Sequence, residues 1–150
     1  MKWHGAVAGA LASALVATAA FAEVHIVDDP GGEVSVYVQQ FNELRKAGEH
    51  FVIDGPCLSA CTLITGIIPR DHVCVTRRAV LGFHAASYFD DASQTLVPNR
   101  EGTAVIMRLY PPEIREWIER HGGLKTQFIA LRGEELSALY DTCPEESLGN

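Results

Sequence analysis

Short apolar segments alternate with helical patterns along the first half of the chain, and this order constrains the fold more than any other feature. Strands are predicted over 24–27, 50–54 and 73–76, where short apolar runs end at turn residues or charges. An amphipathic helix is predicted over 33–47, and a short, almost wholly apolar helix over 59–68. Such alternation predicts a parallel sheet with right-handed crossover helices, and therefore an α/β fold in a single compact domain.

The second half of the chain is predicted to be mainly helical. A fourth extended segment over 79–84 is followed by the polar stretch 85–100, for which we expect a mobile loop. Helical segments are then predicted over 101–109, 112–121, 124–131 and 134–140.

The first 22 residues are predicted to be a cleaved signal peptide rather than part of the fold. Lys2 gives a positive start, an alanine-rich apolar run follows, and Ala20-Phe21-Ala22 fits a small-residue cleavage site. The folded domain is then 23–150, and we expect it to be periplasmic or secreted. An uncleaved anchor is the alternative, although the run is short and small-residue-rich for a membrane span.

The charge of the predicted mature chain excludes one class of partner. Loss of Lys2 changes the formal net charge from −7 to −8. Nucleic-acid binding requires a basic footprint that neutralises phosphates, so no nucleic-acid partner is expected. No later stretch approaches the roughly 18 apolar residues of a transmembrane helix.

All four cysteines lie after the predicted cleavage site. An even number in an exported protein predicts two disulfides, and three pairings remain open. Zinc and free thiols are the competing interpretations, but metal sites usually draw on CxxC or HxxxH spacing, which this chain lacks. No metal or cofactor is therefore expected. The disulfide candidates are Cys57, Cys61, Cys74 and Cys143.

A serine, a histidine and a glycine turn are placed so that they can meet. Ser59 follows an apolar strand at the start of the short helix, and His84 follows 25 residues later. A serine hydroxyl needs a nearby base to become nucleophilic, and a helix N-terminus offers free N–H groups. The Gly31-Gly32 turn also follows a strand, and loops at the carboxyl ends of parallel strands form one crevice.

Each of these residues also has a purely structural interpretation. Ser59 is a favoured helix N-cap type, His84 fits a strand-end histidine bonded to the backbone, and Gly31-Gly32 fits an ordinary turn. A thiol nucleophile at Cys57 or Cys61 is a further alternative, although an oxidising compartment would pair these thiols. A thiol redox protein is another, although the chain lacks CxxC spacing.

Together the residues resemble the proteolytic subunit family of Clp protease, within the crotonase-like superfamily. Asp29-Pro30-Gly31-Gly32 resembles the family's Ser-Pro-Gly-Gly oxyanion turn, and Gly55 resembles the glycine leading into its nucleophile. Gly82-Phe83-His84, at the end of an apolar strand, resembles the segment that carries the base. The resemblance covers about 26–86. The 25-residue interval from Ser59 to His84 also agrees with the family's usual separation of nucleophile and base.

The resemblance implies a crotonase-like fold and an ATP-independent, exported serine hydrolase, expected to be a peptidase. Ser59 would attack the scissile carbonyl, and His84 would take the hydroxyl proton. The main-chain N–H groups of Gly32 and Ala60 would stabilise the oxyanion. Peptides or proteins would be the substrates, with no cofactor and no ATPase partner.

The chain departs from the family pattern at the third catalytic residue, an aspartate that should follow the histidine. We select Asp141, but a Ser–His dyad or an inactive relative, serving as a binding or assembly module, stays open. The short C-terminal half puts the family's ring assembly in doubt and leaves a homo-oligomer open. Other carboxylates considered for the third position are Asp90, Asp91, Glu134 and Glu135.

Overall fold

The computed structural model describes residues 23–144. Residues 1–22, which contain the predicted signal peptide, and residues 145–150 lie outside the described part. Within 23–144, no helix combines the length and apolarity needed to cross a bilayer.

Four parallel strands form the larger sheet, in the order β1-β2-β4-β9. Parallel strands need crossover connections, and helix α1 (Val34–Ala47) supplies the one between β1 and β2. The predicted α/β class with a parallel sheet is therefore confirmed. The strands are β1 (Glu23–Ile26), β2 (His50–Ile53), β4 (Val73–Val75) and β9 (Asp141–Thr142).

A smaller sheet carries the serine and histidine segments, in the order β3-β5-β8. Strand β3 (Pro56–Leu58) runs parallel to β5 (Val80–Phe83), and β8 (Ile129–Arg132) runs antiparallel to β5. A parallel bridge between Asp29 and Cys57 ties the turn after β1 to β3. The Asp29–Gly32 turn is thereby held beside the strand that leads to Ser59.

Helices cover the sheets and close a single core. Helix α1 ends at Gly48, which adopts the left-handed conformation typical of a helix C-cap. A 3₁₀ segment, Ser59–Leu63, continues directly into α2, so the predicted helix over 59–68 is present in two geometries. The helices are α1 (Val34–Ala47), α2 (Ile64–Ile67), α3 (Arg100–Leu109), α4 (Pro112–Arg120) and α5 (Gly133–Ser137).

The core lies between the two sheets and these helices. Trp117 packs against Phe83, with ring centroids 5.8 Å apart, and Tyr110 contacts Phe83 edge-on. The apolar face of α4 therefore covers β5, the strand that ends at His84. The largest fully buried side chains include Phe51, Phe83, Trp117, Leu63, Ile64, Leu81, Ile114 and Ile118.

The polar stretch 85–100 is a β-hairpin rather than the predicted loop. Strand β6 (Ser87–Asp90) pairs antiparallel with β7 (Thr95–Pro98), so Phe89 lies opposite Leu96. Asp90 accepts a hydrogen bond from the Ser93 amide and closes the turn. The sequence did not predict these strands because their apolar residues, Tyr88-Phe89 and Leu96-Val97, are adjacent pairs without the period-two alternation of a half-buried strand.

The predicted helix over 124–131 is also wrong, since this segment contains β8. Leu131 is fully buried opposite Leu81 of β5, while its neighbours Ala130 and Arg132 are exposed. Alternating burial is the pattern of a strand, and pairing with β5 satisfies the backbone. The last predicted helix, over 134–140, is shorter than expected, since α5 ends at Ser137 and a turn over 138–140 leads to β9.

Two disulfides join the four cysteines. Cys57 pairs with Cys61 across four residues, and Cys74 pairs with Cys143 across 69 residues. The expectation of two disulfides is confirmed, and the structure selects one of the three possible pairings. The longer bridge joins Cys143, directly after β9, to Cys74 of β4. Strands β4 and β9 also pair through their backbones.

Removing the two bridges should have different effects on stability. The chain-entropy model predicts a loss of about 4 kcal/mol in unfolding free energy for Cys74→Ser/Cys143→Ser, and about 2 kcal/mol for Cys57→Ser/Cys61→Ser. The difference arises because the longer loop restricts the unfolded chain more. Denaturant unfolding of both double variants measures it, and equal losses would contradict the expectation.

Candidate active site

Ser59 has a left-handed backbone, with φ of 55° at the first residue of the 3₁₀ segment. This region is uncommon for a residue with a side chain and costs of order 1–3 kcal/mol. Such outliers cluster at functional sites, where surrounding structure holds them in place. Sequence reasoning did not foresee this conformation, because serine is not a residue type that marks it.

A disulfide and two linked hydrogen bonds hold the turn that contains Ser59. The Cys57–Cys61 disulfide spans it, with both half-cystines fully buried. The Thr62 hydroxyl donates to the Ser59 carbonyl at 2.6 Å. The same hydroxyl lies 2.7 Å from the hydroxyl of Tyr110, which is itself buried. The turn is therefore fixed from both sides of the nucleophile candidate.

The register of β3 and β5 brings His84 to Ser59. Leu58 pairs with Gly82, so the residues just after these strands meet at one end of the sheet. His84 Nε2 lies 2.7 Å from Ser59 Oγ. That distance falls within hydrogen-bond reach for a nucleophile and its base. The binding-module alternative predicts a hydroxyl out of reach of the imidazole, whereas the observed distance is within reach.

The environment of His84 favours its neutral form. Burial lowers the pKa of the imidazole below its ordinary value of 6.5, because the charged form loses hydration. A hydrogen bond with the backbone of Ala85 acts in the opposite direction and raises the pKa. Because burial is the larger effect, the imidazole is able to accept a proton at neutral pH.

Asp29 organises the glycine turn. Its Oδ1 accepts hydrogen bonds from the Gly31 amide at 2.8 Å and from the Tyr37 hydroxyl at 2.6 Å. Its own amide donates to the Pro56 carbonyl, and its carbonyl accepts from the Leu58 amide, each at 2.8 Å. These bonds join the turn, α1 and β3. Sequence reasoning placed Asp29 in the turn but missed its contact with Tyr37.

Gly31 allows the turn to approach Ser59 closely. Its φ is 82°, and a Cβ at this position would overlap the Leu58 carbonyl and lie 2.6 Å from Ser59 Cβ. Only glycine combines a favourable positive φ with the absence of a Cβ. Gly32 and Ala60, the predicted oxyanion residues, line the same cavity as Ser59. The Ala60 N–H belongs to the first helical turn, where amides have no intrahelical acceptor.

The cavity beside these groups has a volume of about 500 Å³. This size falls within the range of ligand pockets in proteins. Ser59, His84 and Asn99 contribute polar groups, and α3 contributes an apolar wall. The apolar lining comes mainly from Leu63, Val105, Ile106 and Tyr110.

Asp141, the selected third catalytic residue, is not brought to His84. It lies in β9, pairs with Cys74, and sits at the far edge of the larger sheet. There it lines a different cavity, beside Glu23 and His72. The structure corrects the assignment because β9 joins the larger sheet, whereas His84 follows a strand of the smaller one.

The other carboxylates considered for the third position are held elsewhere. Glu135 accepts a hydrogen bond from the Trp117 indole, and Asp90 and Asp91 lie at the hairpin turn. Glu134 is exposed in α5. No carboxylate among residues 23–144 hydrogen bonds to His84. The described groups thus form a Ser–His pair.

The thiol and metal interpretations find no support in the described residues. Cys57 and Cys61 are disulfide-bonded and fully buried, so neither presents a thiolate beside His84. Over 23–144, no group of three or more histidine, cysteine, aspartate or glutamate side chains is placed to bind a metal ion.

The Asp29–Tyr37 contact can be tested by titration. Burial and the Asp29 carboxylate raise the pKa of Tyr37 to about 12. Asp29→Asn should lower it toward 10 without reaching it, because burial is the largest cause. Tyrosinate absorbance, compared with a Tyr37→Phe protein, measures the change. Asp28→Asn, at the exposed neighbouring residue, is the control, and an unchanged titration in Asp29→Asn would contradict the contact.

Similarity to known proteins does not assign this site. No family model, no curated protein and no solved structure matches the chain. Its interpretation rests on the positions of Ser59, His84 and the Asp29–Gly32 turn.

Proposed function

We propose that this protein is an exported serine hydrolase of crotonase-like fold that cleaves peptide bonds. The observation that carries the proposal is the 2.7 Å contact between Ser59 Oγ and His84 Nε2, made by a serine with left-handed backbone. A nucleophile and base at this distance, beside main-chain amides and a cavity, form the arrangement that acyl transfer requires.

In the proposed reaction, His84 Nε2 takes the hydroxyl proton while Ser59 Oγ attacks the scissile carbonyl carbon. The carbonyl oxygen becomes an oxyanion, stabilised by the amides of Gly32 and Ala60. The imidazolium then gives its proton to the leaving amine as the carbon–nitrogen bond breaks. Water then gives a proton to His84 and attacks the acyl carbon; the bond from this carbon to Ser59 Oγ breaks, His84 returns the proton to Oγ, and the carboxylic acid is released.

The substrate and the compartment follow from supporting features. An apolar wall beside Ser59 suits the side chains of a peptide or protein substrate. Two disulfides are typical of an oxidising compartment, which supports a periplasmic or secreted location. Two features support the crotonase-like interpretation: the close approach of Gly31 to Ser59, and the parallel pairing of β3 with β5.

Covalent labelling tests the nucleophile. A fluorophosphonate should modify the oxidised protein at Ser59, and Ser59→Ala should abolish labelling. His84→Ala should slow it by about 10²–10⁴, the usual contribution of a general base. Ser87→Ala is the matched control, because Ser87 lines the same cavity without contacting His84. Absence of labelling in the folded, oxidised protein, read by mass spectrometry, would refute the proposal.

The pH dependence of labelling tests the base. The imidazole must be neutral to accept a proton, and burial holds its pKa below 6.5. The rate should therefore rise as pH increases through a midpoint below 6.5 and stay level above it. Rate constants at a series of pH values, with circular dichroism to verify folding, measure this profile. A midpoint above 7 would contradict it.

A further inference from the structure

An aromatic ring packs against the imidazole of His84. The ring centroids of His84 and Phe128 are 4.4 Å apart, with an interplanar angle of 44°. Phe128 is 51% exposed, although large apolar side chains generally favour burial. It is not among the described residues that line the cavity beside Ser59. The ring therefore contacts the imidazole without lining the cavity where a substrate would bind.

The register of the smaller sheet accounts for this position. Strand β8 runs antiparallel to β5, with Ile129 paired to Phe83. One step further along the same register places Phe128 opposite His84. Residues directly opposite each other in an antiparallel pair have side chains on the same face. The contact is thus built into the pairing of the two strands.

Gly82 leaves room for the phenyl ring. A Cβ at this position would lie 3.2 Å from Phe128 Cδ1 and 2.5 Å from Leu58 Cδ2. Gly82 and His84 lie on the same face of β5, since they are two residues apart. Phe128 therefore occupies space above Gly82 and extends over the neighbouring imidazole.

The chain before Phe128 is tied to the chain after His84. The amide of Ala85 donates to the carbonyl of Lys125 at 2.7 Å. The segment 125–128 is therefore held on both sides of the imidazole, by this bond and by the β5–β8 pairing. These links hold the backbone of Phe128 beside His84, so the side chain starts from a fixed position next to the imidazole.

In a Ser–His–acid triad, a carboxylate bonded to the second imidazole nitrogen fixes the ring orientation. Within 23–144, no carboxylate hydrogen bonds to His84; its imidazole hydrogen bonds to Ser59 and to the Ala85 backbone, and the Phe128 ring packs against it. We propose that Phe128 is the positioning residue of this site, which orients the imidazole by packing instead of by a carboxylate. This inference rests on the proposed hydrolase function.

The physical effect of the ring is twofold. Packing restricts rotation of the imidazole about its Cβ–Cγ bond, so Nε2 stays directed at the Ser59 hydroxyl. The ring also excludes water from the imidazole, which disfavours the charged form. Ionised groups on the surrounding elements do not account for the pKa shift of His84, which arises from burial and the Ala85 backbone. Those groups are Glu33, Arg100 and Lys125.

The rate of fluorophosphonate labelling tests the inference. Phe128→Ala should reduce the rate constant about tenfold, less than the 10²–10⁴ expected for loss of the base itself. It should also move the pH midpoint upward, because the imidazole gains hydration. Phe128→Tyr, which keeps the ring, should restore both values. Phe89→Ala is the matched control, at an aromatic residue that is 54% exposed on the hairpin.

A second measurement does not depend on activity. The ring protons of His84, followed by NMR across a pH titration, should show a pKa that is higher in Phe128→Ala than in the wild type. Melting temperatures verify that each variant is folded. If the wild type fails to label, the hydrolase proposal fails, and the titration still decides whether Phe128 controls the imidazole. An unchanged titration and an unchanged labelling rate in Phe128→Ala would overturn the inference.

Discussion

The left-handed backbone of Ser59 is the constraint on which the candidate site depends. An unsupported serine would relax to a more favourable conformation, so the strain persists only because neighbouring links oppose relaxation. The Cys57–Cys61 bridge encloses the residue, and Thr62 holds its carbonyl. By the chain-entropy model, the disulfide that spans only four residues stabilises the fold about half as much as the longer one. It also acts locally, because it closes the turn that presents Ser59.

The smaller sheet brings the other residues of the candidate site to Ser59. Strands β3, β5 and β8 are neighbours, and each carries one element at the same end: Ser59 after β3, His84 after β5 and Phe128 before β8. The Asp29–Gly32 turn joins the same end through main-chain bonds to β3. Backbone pairing therefore sets the spacing between side chains, and a slip of one residue in either pair would separate them.

Local sequence patterns located α1, the strands of the larger sheet apart from β9, and the pair Ser59 and His84. These features depend on spacing within short segments, which the sequence displays directly. The patterns failed where partners are distant. Strand β8 pairs with β5, which no local window around β8 contains, and Asp141 lies in a different sheet from the strand that precedes His84. The hairpin strands are close in sequence, but their apolar residues do not alternate. Phe128 carried no local signal, because its contact with His84 comes from the register of two strands.

The sequence by itself determined the α/β class, the presence of two disulfides, and the residue types from which a serine–histidine site is made. It did so because strand and helix periodicity, cysteine number and glycine turns are properties of short stretches of chain. Only the tertiary structure decided which cysteines pair, that the serine is left-handed, and that an aromatic ring rather than a carboxylate contacts the imidazole. These outcomes depend on strand register and packing between residues far apart in sequence, where the free energy of the whole fold selects the partners.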